Sequence, residues 1–214
     1  MEFLYEYIYD EKPENVSEKV HQNRMNQKKE IIKTAFRLFG QKGYYKTTLE
    51  DIGHEIGITR AALYRYFSSK DELLFQCHKV VYEFALNNLK QLQDIQSPSE
   101  RMTKMLESHI LSYFHEDFPL SYPTLLSLSS FPEVYKNQVK EYRKMVEEPY
   151  FKCLKDWRCA SPDQLKDMDD RIIINTFFNA ANSVPRWWDG KSDPTKIAKN
   201  VVAILVDGIK HVSS

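Results

Sequence analysis

The run TTLEDIGHEIGITRAALYRYFSSKDEL, residues 47–73, constrains this chain more than any other stretch. Leu49, Ile52 and Ile56 recur at helical spacing, Gly57 interrupts, and Ile58, Leu63 and Phe67 resume the apolar pattern. Each periodic piece is too short to persist as a helix in isolation, so the two must cross on a shared apolar core. Gly57 near the apex supplies the positive φ that such a tight connection requires. Thr47 or Thr48 is expected to cap the first helix, with Glu50 closing a capping box, and Thr59 to cap the second. The second helix is about two turns long, and its small residues Ala61 and Ala62 allow its backbone to approach another surface, such as a base-pair edge, closely.

The rest of the chain is also helical in pattern, giving an all-α fold class. A helix is expected from Asn26 to about Lys42, with Ile31, Ile32, Ala35, Phe36, Leu38 and Phe39 as its apolar stripe and Gly43 as a left-handed cap. A long helix follows over about 71–94. Beyond Ser97-Pro98, helices are expected at 99–115, 121–130, 133–157, 162–187 and 194–212. Pro149 should kink the third of these, Pro185 should bend or end the fourth, and Asp193-Pro194 should open the last. The expected organisation is an extension at 1–23, a three-helix, helix-turn-helix domain at 24–74, and a second, larger helical domain at 75–214. The extension carries Phe3, Leu4, Tyr5, Tyr7, Ile8 and Tyr9. It reads either as an arm packed on the body or on a second subunit, or as a disordered tail or an early start with Met25 as the in-frame alternative.

Charge is polarised within a neutral whole. Thirty basic residues balance thirty acidic ones. Between Arg24 and Lys70, however, ten Lys/Arg face four Asp/Glu, a local excess of +6 (10 − 4) that suits contact with phosphate at one end of the chain. Cys77, Cys153 and Cys159 have neither finger nor CxxC spacing, which points to buried thiols in a reducing compartment. No apolar run is long enough to span a bilayer and the N-terminus lacks a secretory pattern, so a cytoplasmic location is expected. Nucleophile-elbow, phosphate-loop, dinucleotide and zinc-protease motifs are missing, which argues against an enzyme. His109, His115, Glu116 and Asp117 lie close in sequence; they read as a solvated helix end, with a divalent-metal site as the alternative. No cofactor is expected.

Gly43-Tyr44, Thr47-Thr48, Ile52, Gly57-Ile58-Thr59, Leu63-Tyr64, Tyr66-Phe67, Lys70 and Leu73 together resemble the N-terminal domain of the TetR family of one-component regulators. Gly53 stands where that family usually has alanine, which should slightly weaken its helix. The resemblance implies a ligand-controlled, dimeric repressor of a palindromic operator. It implies that Thr48 and Lys70 hold phosphates and that Tyr64 and Tyr66 reach the DNA backbone, with burial the alternative for Tyr66. It places Thr59, Arg60 and Ala61 in the major groove, with Arg60 reading guanine and Arg65 meeting a phosphate.

The same resemblance implies a helical sensing and dimerisation domain. Phe114, Phe118, Tyr122, Phe131, Tyr135, Tyr142, Tyr150, Phe151, Trp157, Phe177 and Phe178 are expected to face one interior and to line a cavity or simply fill a core. The segment FFNAANSVPRWWDG, residues 177–190, resembles the acyl-CoA-responsive TetR-type regulators through Asn182, Arg186, Trp187 and Trp188; Ser183 and Asn179 depart from that pattern. Phe114, Phe118, Tyr122, Phe178, Asn182, Arg186 and Trp187 are the candidate ligand residues. For Arg186 and the tryptophans a dimer interface is the alternative use. Ile172, Ile173, Ile174 and Phe177, with Ile197, Val201, Val202, Ile204, Leu205 and Ile209, form the candidate dimer surface. A regulator of multidrug or other hydrophobic-compound response and a ligand-independent architectural DNA-binding protein are the competing readings.

Overall fold

A computed structural model of the protein describes residues 8, 11–115, 128, 131–163, 165 and 168–211. The described residues form eight helices and no strand: α1 Glu18–Lys42, α2 Leu49–Glu55, α3 Arg60–Leu63, α4 Lys70–Gln91, α5 Pro98–Ser112, α6 Glu133–Ala160, α7 Asp170–Trp187 and α8 Pro194–His211. The helix expected at 121–130 lies outside the described residues. Among those residues no helix is long and apolar enough to cross a membrane.

α1 begins eight residues before the expected Asn26. Ser17 caps it by accepting from the Val20 N–H, and Glu18 in the first turn complements the helix dipole. His21 and Met25 then extend the buried stripe of Ile32, Phe36 and Phe39 backwards at helical spacing. Gly43 ends the helix at φ 80°, ψ 153°, an extended backbone with positive φ rather than the left-handed helical cap expected.

At α2 the cap is Thr48, and the open choice between the threonines resolves on geometry. Thr48 Oγ1 accepts from the Asp51 N–H at 3.0 Å, and Asp51 accepts from the Thr48 N–H at 2.8 Å. With Thr48 at the cap, Asp51 occupies the third helical position and closes the box; Glu50 falls one residue short of it. Thr47 is buried and donates to the carbonyls of Leu38 and Gly43, tying the loop to the end of α1.

The turn between α2 and α3 is a Schellman motif. The Gly57 N–H donates to the His54 carbonyl at 3.3 Å and the Ile58 N–H to the Gly53 carbonyl at 2.9 Å, with Gly57 at φ 70°. This brings the Ile58 carbonyl so close to Gly53 that a Cβ there would stand 2.7 Å from its oxygen. Gly53 is therefore a place of close backbone approach, and its cost in helix propensity is offset by the tight turn it allows. Leu49, Ile52, Leu63 and Phe67 are buried beneath the crossing, while Ile56 and Ile58 sit at its half-buried edge.

The helices divide into two compact units, Met1–Phe84 with Glu116–Tyr142, and Ala85–His115 with Arg143–Ser214. In the first, aromatic pairs join α4 to the start of α6 and the residues just before it: Phe75 stacks on Tyr135 at 4.6 Å, Tyr82 on Tyr142 at 5.6 Å, and His78 meets Phe131 edge-on at 4.4 Å. Phe131, Tyr135 and Tyr142 thus belong with α4, and the expected single aromatic interior is divided between two units. In the second, Met102, Met105, Leu106 and Ile110 of α5 pack with Tyr150, Leu154 and Trp157 of α6, Ile173 and Phe177 of α7 and Val202 of α8 in one core.

α6 runs through Pro149 as one continuous helix. α7 starts at Asp170 rather than near 162, because Asp169 caps it and Arg158 draws the preceding loop onto α6. The Arg158 guanidinium donates to the carbonyls of Leu165 and Met168 and pairs with Asp170. Pro185 lies two residues from the end of α7, which closes with the Trp188 N–H on the Val184 carbonyl. As expected, Pro194 opens α8, with Asp193 accepting from the Thr195 N–H at 2.9 Å.

Replacing a helical glycine by alanine ordinarily stabilises by about 1 kcal/mol. For Gly53→Ala the opposite is expected, a loss of about 1–3 kcal/mol from the forced shift of the turn, read as a lower urea midpoint. An unchanged or raised midpoint would show that the turn yields freely.

Candidate functional site

The exposed surface of the N-terminal unit is set by α3. Thr59 caps it through a 3.1 Å bond from the Ala62 N–H. Leu63 is then buried, Ala62 half-buried, and Thr59, Arg60, Ala61, Tyr64 and Arg65 are exposed. The helical period places these five on one outward strip, a short ridge carrying two guanidinium groups, a phenol and a small central residue. Such a strip has the dimensions and donors to enter a major groove.

Arg60 is held before any partner arrives. Its guanidinium pairs with Glu50 of α2, donates to the Tyr64 hydroxyl at 3.1 Å and lies 5.4 Å from the centre of that ring. The bond to Tyr64 and the charge of Glu50 both favour its protonated form. Glu50, released from the capping box by Asp51, is thus the acid that positions Arg60. The pair is open to water, so exchanging the carboxylate for another acceptor costs little.

Thr48 presents its backbone at the exposed start of α2, where Asp51 answers both its N–H and its hydroxyl. The Thr48 bonds hold the Asp51 carboxyl below its ordinary range. Lys70 has a visible structural task. Its ammonium donates to the carbonyls of Tyr44 and Thr47 at 3.1 and 3.0 Å and sits 4.3 Å from the centre of the Tyr44 ring. Tyr44 in turn donates to Asp71, and burial first, then this carboxylate, push its phenol well above the ordinary value. The segment 43–47 is thereby fastened to the start of α4. Tyr66 is half-buried and has Arg24 over its ring at 5.7 Å.

In the C-terminal unit the candidate ligand residues separate. Phe178 and Asn182 come together, one turn apart on α7, with His109 and Tyr113, whose positions periodicity did not single out. The Asn182 side-chain oxygen receives the Tyr113 hydroxyl at 2.5 Å and faces His109 Nε2 at 2.8 Å. Phe178 meets the His109 ring edge-on at 5.2 Å and the Tyr150 ring at 4.9 Å, and Tyr150 donates to the Met105 carbonyl. His109, in the last turn of α5, is half-buried against this group rather than freely solvated; Glu116 and Asp117 lie outside the described residues. Burial lowers the His109 pKa, opposed by the bond to Asn182, which favours the neutral ring. A neutral ring whose Nε2 carries the proton donates to Asn182, which then accepts twice on one oxygen.

Phe114 instead meets Trp188 at 4.9 Å. Arg186 and Trp187 are exposed, and the Trp187 indole N–H donates to Ser183 at 3.2 Å. Phe118 and Tyr122 lie outside the described residues. Of the candidate dimer surface, Ile173, Ile174, Phe177, Val202 and Ile209 are turned into the core of their own unit, because each is on the inner face of its helix. Ile172 and Ile204 are the outward ones, 61% and 74% exposed.

Residues 31–77 match the family model of bacterial regulatory proteins of the tetR family, and residues 96–209 match that of the tetracyclin repressor-like C-terminal domain. The second match alone covers more than half of the chain, and the chain belongs to the TetR family of helix-turn-helix regulators. It is 33% identical over 123 residues to the HTH-type transcriptional regulator YerO of Bacillus subtilis, which covers 55% of this chain and 41% of that protein. It is 30% identical over 112 residues to the biofilm operon icaADBC HTH-type negative transcriptional regulator IcaR of Staphylococcus aureus, 52% of this chain and 59% of that one. The chain thus spans about half the length of the curated relatives it matches. The crystal structure of a TetR/AcrR-family transcriptional regulator from Thermobifida fusca superposes with a TM-score of 0.64 at 26% identity, covering 86% of this chain and 98% of that one.

The depressed His109 pKa has a consequence for acid stability. The folded state resists a proton that the unfolded chain takes up near pH 6.5, so stability present above that value is lost as pH falls below it. His109→Gln should remove part of the drop in urea midpoint between about pH 7 and pH 5. An identical pH dependence in the variant would show that His109 accepts its proton as readily folded as unfolded.

Proposed function

We propose that this protein is a DNA-binding transcriptional repressor that acts as a homodimer on a palindromic operator and is released by a small hydrophobic ligand. The observation that carries the reading is the outward strip of Thr59, Arg60, Ala61, Tyr64 and Arg65 on a helix whose opposite side, Leu63, is locked into the core. Arg60 exchanges Glu50 for the N7 and O6 acceptors of guanine, while Ala61 lets the helix backbone come close to the base edges. Thr48, Tyr64, Arg65 and Tyr66 take backbone phosphates. Lys70 supports the same surface mainly by fixing the loop before α2, with one N–H left to offer a phosphate. Repression, rather than activation, is the action printed in the name of the staphylococcal relative.

Dimerisation falls to α7 and α8. Ile172, Thr176, Asn179, Ser183 and Trp187 share one side of α7, and Ile197, Val201, Ile204 and Gly208 one side of α8, all exposed or half-exposed. Two copies of this face would give a four-helix interface, and its two-fold symmetry would set the recognition helices on the two halves of a palindrome. The signal is read in the C-terminal unit around Asn182, Tyr113 and His109, polar groups that a ligand can re-partner inside an apolar surround of Phe178 and Tyr150. An acyl-CoA is the ligand class that the 177–190 segment favours: the acyl chain against the aromatics and a phosphate on exposed Arg186, one turn beyond Asn182. Ligand shifts the dimer population away from the spacing that fits DNA.

Arg60→Ala is expected to bind operator and random duplex alike, retaining weak, salt-sensitive affinity. Undiminished preference for the operator in a mobility-shift titration would remove Arg60 from base readout. A long-chain acyl-CoA is expected to raise the melting temperature of the wild-type protein more than the free fatty acid does, and to do so less for Asn182→Ala. Stabilisation by hydrophobic drugs and by no CoA thioester would replace the acyl-CoA with a multidrug ligand class.

A further inference from the structure

The first turns of α1 and the end of the recognition strip enclose an open groove of about 380 Å³, lined by Val20, Asn23, Arg24, Gln27, Arg65 and Tyr66. Its polar lining consists of two guanidinium groups, two amides and a phenol, and it includes no carboxylate. Val20, Asn23, Arg24 and Gln27 recur at the three- and four-residue spacing of one helix face, so α1 presents them together. All four precede residue 31, where the match to the family's DNA-binding domain begins.

Several cations of the neighbouring surface are already engaged. Arg37 pairs with Glu55 at 2.6 Å, Lys42 with Asp51 at 3.6 Å, Arg60 with Glu50, and Lys70 with two carbonyls. Arg24 and Arg65 are exposed and have no carboxylate within ion-pair distance among the described residues. Arg24 is held over the Tyr66 ring instead, which orients a guanidinium without neutralising it.

We propose that this groove is an anion site that takes a backbone phosphate of the bound duplex, outside the base pairs faced by Arg60 and Ala61. The assignment rests on the DNA-binding reading above. Arg65 links the two: it belongs to the outward strip of α3 and also lines the groove, so a strand laid along the strip passes over it towards Arg24. Arg24 and Arg65 supply forked donors from two sides, and the Asn23 and Gln27 amides supply neutral ones. A phosphate held here lengthens the footprint without adding sequence preference, because a phosphate contact carries no base information.

The test uses the full chain and two duplexes of equal length, one selected from a random pool by the wild-type protein and one of scrambled sequence. Affinity is measured from about 50 to about 300 mM salt for wild type, Arg24→Ala, Arg65→Ala and Arg24→Lys. Each alanine variant should flatten the slope of log K against log salt by about 0.9 and bind both duplexes about eightfold more weakly at about 0.1 M salt. Arg24→Lys should keep the slope, since it keeps the charge, and the exposed positions should leave the melting temperature unchanged. A wild-type slope in Arg24→Ala would overturn the groove assignment while leaving the DNA-binding reading intact. Wild-type protein without salt-dependent duplex binding would overturn that reading and the groove assignment with it. Inorganic pyrophosphate that binds the wild type and not Arg24→Ala, with duplex slopes identical in the two, would overturn the duplex as its source.

Discussion

The hydrogen bond from the Ile58 N–H to the Gly53 carbonyl is the contact on which the outward strip of α3 depends. It closes the Schellman turn, and with Gly57 at positive φ it fixes the direction in which the chain leaves α2. That direction decides which side of the very short α3 meets the core. With Leu63 and Phe67 buried and Ile52 beneath them, Arg60, Ala61, Tyr64 and Arg65 can only point outward. A four-residue helix has no stability of its own, so its orientation is entirely a property of this turn, its Thr59 cap and the packing under it.

Around that crossing, charged groups serve the architecture. Lys70, Tyr44 and Asp71 clamp the loop before α2 to the start of α4, and Glu50 holds Arg60 in place. An excess of +6 over residues 24–70 therefore overstates the positive charge offered outward, because several of those cations are occupied internally. The charge that remains exposed and without a carboxylate partner includes the Arg24 and Arg65 groove. The C-terminal unit shows the complementary economy: one asparagine oxygen satisfies a histidine and a tyrosine at once, which keeps a polar cluster tolerable among aromatic rings.

What could be read from the sequence follows from the range of each signal. The caps at Thr59 and Asp193, the turn glycine Gly57 and the Leu63-to-Phe67 block are local, and periodicity with turn chemistry revealed them. The start of α1 is not legible in the sequence because the Ser17 cap and the buried His21 and Met25 look polar or isolated until the stripe is extended backwards. Whether Asp51 or Glu50 closes the box depends on which threonine is the cap, a matter of one residue. Long-range pairings left no periodic trace: His109 with Asn182, 73 residues apart, or Phe131 with His78. Nor could composition divide the aromatic residues between two units, since residues of both kinds occur along α6.

Selection of bound duplexes from a random-sequence pool by the wild-type protein tests the central claim most directly. A dimer reading DNA through two copies of the α3 strip predicts enrichment of an inverted repeat whose half-site centres lie about 10 base pairs, or a small multiple of that, apart. A pool that emerges unenriched, or enriched only in a single unrepeated site, would contradict the account.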